Sequence, residues 1–255
     1  MIESLKNASS GLRAQSIRMD TVSNNIANIN STGFKKSSVV FEDLLYQEIE
    51  KPGMPVGENV FSGSGVRVSE TKKDLRQGPL TETGRDFDLA VYGKGFFGVE
   101  LPNGEIAYTR DGSFGIDVEG YLVTGTGLRV YPYVQMPENW ERITVKDTGE
   151  IIVTYEDGTR EEIGSFSVFV VPNPSGLNSL GRGLYSPTEA SGAPVQGTPG
   201  SDGLGVIKQG FLEQSNVDLG EEVAEMILSQ RSLQLNAKLI HTFDEMWYIA
   251  NNIRV

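Results

Sequence analysis

Apolar residues recur at every seventh position toward both ends of the chain and at every second position between them. Leu5, Leu12, Met19 and Ile26 form one row over residues 1–29, and Ala8, Gln15, Val22 and Ile29 form a second, offset by three. Over residues 219–255, Leu219, Met226, Leu233, Ile240 and Trp247 repeat that spacing, with Val223, Ile227, Ala237, Phe243 and Ala250 beside them. A seven-residue apolar repeat lets one helix pack along another. One such helix at each end predicts that the two termini come together. The first helix is expected to stop near Asn30–Gly33, where asparagines favour local backbone hydrogen bonds and Gly33 suits a left-handed cap. The second is expected to start at Asp218 or just after, with Glu221 and Glu222 in a first turn whose dipole favours acids.

Residues 41–50 (FEDLLYQEIE) read as a short helical or extended piece, and residues 51–65 as a linker punctuated by Pro52, Gly53, Pro55, Gly57, Gly63 and Gly65. From about Leu75 the period is two, with Leu89, Val91, Phe97, Val99 and Leu101 in one strand-like run. Turn pairs then follow at Asn103-Gly104, Asp111-Gly112 and Glu119-Gly120, which predicts an antiparallel meander. Residues 150–155 and 165–171 read as further strands, with Asp157-Gly158 as a hairpin turn between them. Residues 172–205 hold eight Gly and five Pro, a density that excludes a regular helix there.

These elements predict an α+β fold. A helix over 1–33 pairs in coiled-coil fashion with 217–255. A linker and extended segment covers 34–75, and an antiparallel β-rich domain over 76–216 is inserted between the helices. Ordering each helical residue costs about 1–2 kcal/mol of backbone entropy. Burying one apolar side chain returns ~1.5–3 kcal/mol, and fewer than a third of the positions in each end segment belong to the apolar rows. Such helices are marginal alone and need partners. Helices that form on assembly therefore fit better than a private core of one globular domain.

Composition removes several functions. A chain of 255 residues can hold a sizeable core. No window reaches the ~18 continuous apolar residues of a membrane span, so no membrane insertion is expected. Glu3, Lys6 and Asn7 interrupt the first ten residues, so no cleaved signal peptide is expected. There is no cysteine, hence no disulfide framework and no thiolate metal site. A net charge of −12 opposes nucleic-acid binding. The ends are mildly complementary: residues 1–30 carry +1 and residues 216–255 carry −3.

Candidate chemistry is sparse. Residues 93–98 (GKGFFG) match the letters of a dinucleotide loop, but strand-like sequence follows where a helix should open; glycines in a close-packed hairpin account for them better. His241 is the only histidine. Asp86 and Asp88 would share a face if they lay on a strand, yet solvated or turn-stabilising acids are far commoner than an acid–base pair. No catalytic, cofactor-binding or metal-binding residue is assigned.

Three long motifs, in order, carry a resemblance. Residues 22–35 (VSNNIANINSTGFK), then 86–97 (DFDLAVYGKGFF) with 108–114 (YTRDGSF), then 209–218 (QGFLEQSNVD) with Gln230-Arg231, resemble the axial proteins of the bacterial flagellum, the rod and hook family. Residues 41–47 (FEDLLYQ) and the Pro/Gly-rich stretch after them are similar to its distal-rod members, with proximal-rod members as the alternative. The resemblance implies a non-enzymatic structural subunit with no cofactor. It implies export without a cleaved signal peptide to the basal body, and helical polymerisation into a hollow drive shaft that passes torque to the hook.

The implied partners are copies of itself, other rod proteins and the hook protein at the ends, the surrounding ring bushing, and the export apparatus in transit. The implied polymer interface is Leu5, Leu12, Met19, Val22, Asn24, Asn25, Ile26, Asn28 and Ile29 at one end. At the other it is Leu219, Val223, Met226, Ile227, Leu233, Ile240 and Trp247, with Phe34, Phe41, Leu44, Leu45 and Tyr46 as linker contacts. The Asn24, Asn25, Asn28 and Asn30 amides would satisfy polar groups between subunits or at the helix end. A rival of another class, a secreted enzyme or carbohydrate-binding module with helical oligomerisation ends, would need a pocket of acids or aromatics. Asp86, Asp88, Trp140 and Tyr155 are on offer but form no constellation.

Overall fold

The computed structural model describes residues 2–44, 47–48, 61–201 and 203–252. It is α+β: α1 (Ile2–Ala27) and α2 (Leu219–Asn252) at the ends, and antiparallel strand pairs between them. The chain divides into two compact units. One draws on residues 1–27, 37–73 and 218–255, the other on 28–36 and 74–217.

In the first unit the two helices run antiparallel. Asn25 Nδ2 donates to Glu222 Oε2 at 2.9 Å, Arg18 pairs with Glu225, and a Cβ built on Gly11 would lie 3.1 Å from Asn236 Nδ2. α2 starts as expected: Asp218 Oδ1 accepts from the Gly220 and Glu221 N–H groups at 2.7 and 3.1 Å and caps the first turn. α1 stops earlier than expected, at Ala27, because Asn28 captures Ser31 in a turn; the Ser31 N–H donates to the Asn28 carbonyl at 3.1 Å.

The segment 34–75 is not a plain linker. Ser37–Asp43 pairs with Val66–Lys73 in a hairpin bulged at Val40/Phe41, which belongs to the helical unit. Its half-buried positions alternate through Val39 and Phe41, a period-two signal too short to stand out beside the Pro/Gly stretch. Most of that stretch, residues 51–60, lies outside the described residues, as do Leu45 and Tyr46.

The second unit holds the hydrophobic core. Leu89, Val91, Phe97, Phe114, Ile151 and Ile207 are among its fully buried side chains. A five-stranded sheet runs in the order Val130–Tyr131, Phe97–Glu100, Ile106–Thr109, Leu184–Ser186, Asn178–Gly181. A three-stranded sheet joins Trp140–Val145, Glu150–Tyr155 and Arg160–Ser165. The expected single run over 89–101 is broken. Leu89–Tyr92 pairs with Val206–Gln209, whereas Phe97–Glu100 pairs with Ile106–Thr109 and Val130–Tyr131.

The glycines between these strands are close-packed but not a hairpin. Gly95 sits at φ +134, and a Cβ there would fall 1.9 Å from Val168 Cγ1. Asn103-Gly104 and Glu119-Gly120 do turn hairpins, while Asp111-Gly112 joins strands that do not pair. Asp157-Gly158 leads into Arg160–Ser165, a charged strand that the pattern had hidden.

Candidate functional site

The three sequence motifs meet at one buried cluster in the second unit. Lys35, from the first motif, is fully buried; its Nζ donates to Glu213 Oε1 at 2.5 Å and to the Arg76 carbonyl at 2.7 Å. Glu213, from the third, also accepts from the Gly78 N–H at 2.9 Å and from Arg110 Nη1 at 3.2 Å. Arg110, from the middle one, donates to the Val91 and Gly93 carbonyls and lies over the Phe96 ring, 5.1 Å from its centroid. Burial pulls the Lys35 ammonium and the Arg110 guanidinium below their ordinary ranges, while Glu213 pushes both back up.

Neighbouring motif residues serve the same junction. A Cβ on Gly33, at φ +66, would stand 2.6 Å from the Asp111 nitrogen, so the left-handed turn expected of a helix cap is needed here for close approach. Thr32 Oγ1 donates to Asp111 Oδ1 at 2.9 Å. Asn216 Oδ1 accepts from the Lys36 N–H at 2.8 Å, and its amide donates to the Asp74 and Arg76 carbonyls. These bonds close within the chain, and only Arg110 Nε is left buried without a partner among the described residues of the cluster. The cluster therefore orders three chain segments rather than presenting a reactive centre.

The helical unit is organised the other way round. The row of α2 turned toward α1 includes Glu222, Ser229 and Asn236, with Met226, Leu233 and Ile240 half-buried beside it. Ser229 Oγ and, on α1, Gln15 Oε1 are buried without a hydrogen-bond partner among the described residues. A different row faces away: Leu228 (60% exposed), Leu235 (64%), Leu239, Met246 and Ile249. Their steps of seven, four, seven and three follow a helical seam that was present in the sequence and was not picked out there.

The other expected interface residues divide between these surroundings. Val22 is buried, and Leu12, Met19 and Ile26 are half-buried along the flank of α1. Leu5, Leu219, Val223, Ile227 and Trp247 are exposed. Asn24 is exposed and Asn28, Ile29, Phe34 and Leu44 are half-buried. Phe41 lies under the Arg18 guanidinium, 5.9 Å from ring centroid to charge. Asn25 takes the second of the two roles open to these amides, bonding near the end of α1. At 1% exposed it is spent within its own chain, accepting from the Ser37 N–H at 2.9 Å and donating to the Ser37 carbonyl and Glu222.

The acids and the histidine that the sequence offered are not brought together among the described residues. Asp88 is buried and Asp86 exposed, so the two share no face. His241 is exposed on α2, and no acid, His or Cys group of metal-binding size occurs among the described residues. No helix among them is long and apolar enough to cross a membrane.

Comparison with known proteins finds three matching domain families. "Flagella basal body rod protein" matches residues 5–35, "Flagellar hook protein FlgE/F/G D1 domain" residues 90–153, and "Flagellar basal body rod FlgEFG protein C-terminal" residues 208–253. Lys35, Arg110 and Glu213 fall one in each. The chain is 44% identical to the flagellar basal-body rod protein FlgG of Buchnera aphidicola subsp. Acyrthosiphon pisum, over 96% of this chain and 97% of that protein. It is 40% identical to the protein of that name from Borreliella burgdorferi, over 100% and 99%. With that from Agrobacterium fabrum it shares 38%, over 94% of each.

Proposed function

The chain belongs to the flagellar basal-body rod protein family, and we propose that it builds the distal part of that rod as a helical polymer of itself. It is a structural protein of the basal body, not an enzyme. In this reading α1 and α2 pair in coiled-coil fashion as the polymer core, and the β unit forms the outer layer of a hollow shaft carrying torque to the hook. Its partners are further copies, other rod proteins and the hook protein at the two ends, the ring bushing around it and the export apparatus in transit.

The observation that carries the assembly reading is the outward row of α2. Leu228, Leu235 and Leu239 stand in solvent on a helix whose inward row includes Glu222 and Ser229. Each exposed leucine forgoes ~1.5–3 kcal/mol that burial would return. Contact with other copies supplies that burial, and the exposed Leu5, Leu219, Val223 and Ile227 widen the surface available for it. A heterologous contact that does not close on itself repeats into a filament. Electron microscopy of the concentrated protein tests the reading: helical filaments are expected, and particles that remain single chains at every concentration would overturn it.

A further inference from the structure

α2 is longer than the helix it lies on. The pairs Asn25–Glu222 and Gly11–Asn236 fix the antiparallel register, and continuing it sets Ile2, the first residue of α1, level with Glu245. Residues 246–252 run past α1 by roughly 10 Å at 1.5 Å per residue. This end is aromatic and acidic. Trp247 is 57% and Tyr248 72% exposed, and Asp244 and Glu245 make no ion pair among the described residues. Asp244, Trp247 and Tyr248 stand at i, i+3 and i+4, on one face.

A cleft of about 740 Å³ opens in the same unit, between the first half of α1 and the strand Val66–Lys73. Ala14, Ile17, Val66 and Val68 give it an aliphatic floor. Lys6 and Arg13, one heptad apart and exposed, flank it and make no ion pair with a described residue. Arg67, also on the cleft, is already matched by Glu42 at 2.7 Å. The walls are tied together: Asn7 Nδ2 donates to the Gly63 carbonyl at 2.8 Å, and the Val66 N–H donates to Ser10 Oγ at 3.3 Å.

We infer that this cleft receives the aromatic–acidic end of α2 from a second copy of the chain. The inference rests on the rod reading above and names one of its contacts. Two unmatched cations face two unmatched carboxylates, and an aliphatic floor faces a tryptophan and a tyrosine, the side chains that anchor interfaces best. The chain's own end does not reach. The same register puts residue 242 level with Leu5, at one end of the cleft, and residue 233 level with Ala14 on its floor, so Trp247 is held beyond the cleft, roughly 8 Å past its near end and roughly 20 Å past that part of the floor. A cleft on one copy and a helix end on the next form a head-to-tail pair, which extends into a filament when its rotation does not close a ring.

The native chain has no cysteine, so cross-linking reads this contact without background. Ser9→Cys in one preparation and Asn251→Cys in another are mixed, oxidised and analysed for disulfide-linked pairs, while electron microscopy scores filaments. A disulfide from position 9 of one copy to position 251 of another is expected. Asp244→Lys with Glu245→Lys should lower its yield roughly tenfold, and Lys6→Glu with Arg13→Glu on the cleft-bearing copy should restore it. Trp247→Ala should also lower the yield without changing the melting of the β unit. Filaments that form without the link, or a yield indifferent to both charge reversals, overturn the inference and leave the rod reading intact. A link that forms while the unmodified protein never makes filaments supports the contact and tells against the rod.

Discussion

The two units of this chain spend their hydrophobic residues in opposite ways. In the β unit most large apolar side chains point inward, and Phe97, Phe114, Val153 and Ile207 are all essentially out of solvent, with Tyr92, Val118, Tyr133, Leu180 and Val195 as scattered exceptions. Three of its buried charges, Lys35, Arg110 and Glu213, are bonded to one another and to backbone. In the helical unit α2 turns Glu222 and Ser229 inward, while Leu228, Leu235, Trp247 and Tyr248 face solvent. One region buries most of its large apolar side chains within the single chain; the other leaves whole apolar rows of α2 exposed.

Mutations can break that contrast from either side. The largest effect is expected on assembly. Leu235→Asp with Leu239→Asp alters residues that already face water, so solubility and the melting of the β unit should not change. Filaments, by contrast, should be lost, because each subunit would bury carboxylates among apolar groups at several kcal/mol apiece. Thr159→Asp, on the exposed Asp157-Gly158 hairpin, is the control and should assemble. Normal filaments from the double leucine variant, seen by electron microscopy, would show that the outward row is not an assembly surface.

Glu213→Ala should act in the opposite compartment. It strands Lys35 and Arg110 as buried, unpaired cations, a loss of about 3–5 kcal/mol. Denaturant melting of the β unit should report that drop, and a change under about 1 kcal/mol would mean that the cluster is solvated like a surface pair. Asn25→Ala removes three bonds that tie α1 to Ser37 and Glu222 and is expected to cost about 1–3 kcal/mol in the helical unit alone. Its check is faster hydrogen exchange in α1 with the β unit unaltered.

The effect that is smallest at neutral pH is confined to alkaline solution. Burial, helped by Glu213, pushes the Tyr185 phenol up from its ordinary value near 10 to about 12. A folded-state pKa raised above the unfolded one gives stability that is whole below pH 10 and lost as pH rises through about 12. The full displacement is worth up to about 3 kcal/mol. Tyr185→Phe should therefore flatten the alkaline side of the β unit's stability profile between those limits and leave neutral stability nearly unchanged. An identical alkaline loss in the variant would place its origin elsewhere.

The parts of this molecule that follow period and local chemistry were readable from sequence. The terminal helices, the Asp218 start of α2 and the turns at Asn103-Gly104 and Glu119-Gly120 all rest on residues close in sequence. What was hidden depends on partners far along the chain. Lys35, Arg110 and Glu213 stand inside recognisable motifs, but nothing local says that they meet. Gly33 looked like a helix cap because a left-handed residue is demanded equally by a cap and by the Asp111 backbone. The strand Ser37–Asp43 finds its partner only beyond the Pro/Gly stretch. The outward row of α2 through Leu228, Leu235 and Leu239 was hidden for another reason: the helix carries apolar rows on more than one side, and sequence alone does not say which row its own chain will cover.

The central claim is that the helical unit completes its burial only between copies. Hydrogen exchange on one preparation, first as dilute monomer and then as filament, tests it most directly. The account predicts weak protection across Leu219–Asn252 in the monomer and strong protection in the filament, with the β unit's strands equally protected in both. Strong protection throughout α2 in a proven dilute monomer, unchanged on assembly, would contradict it.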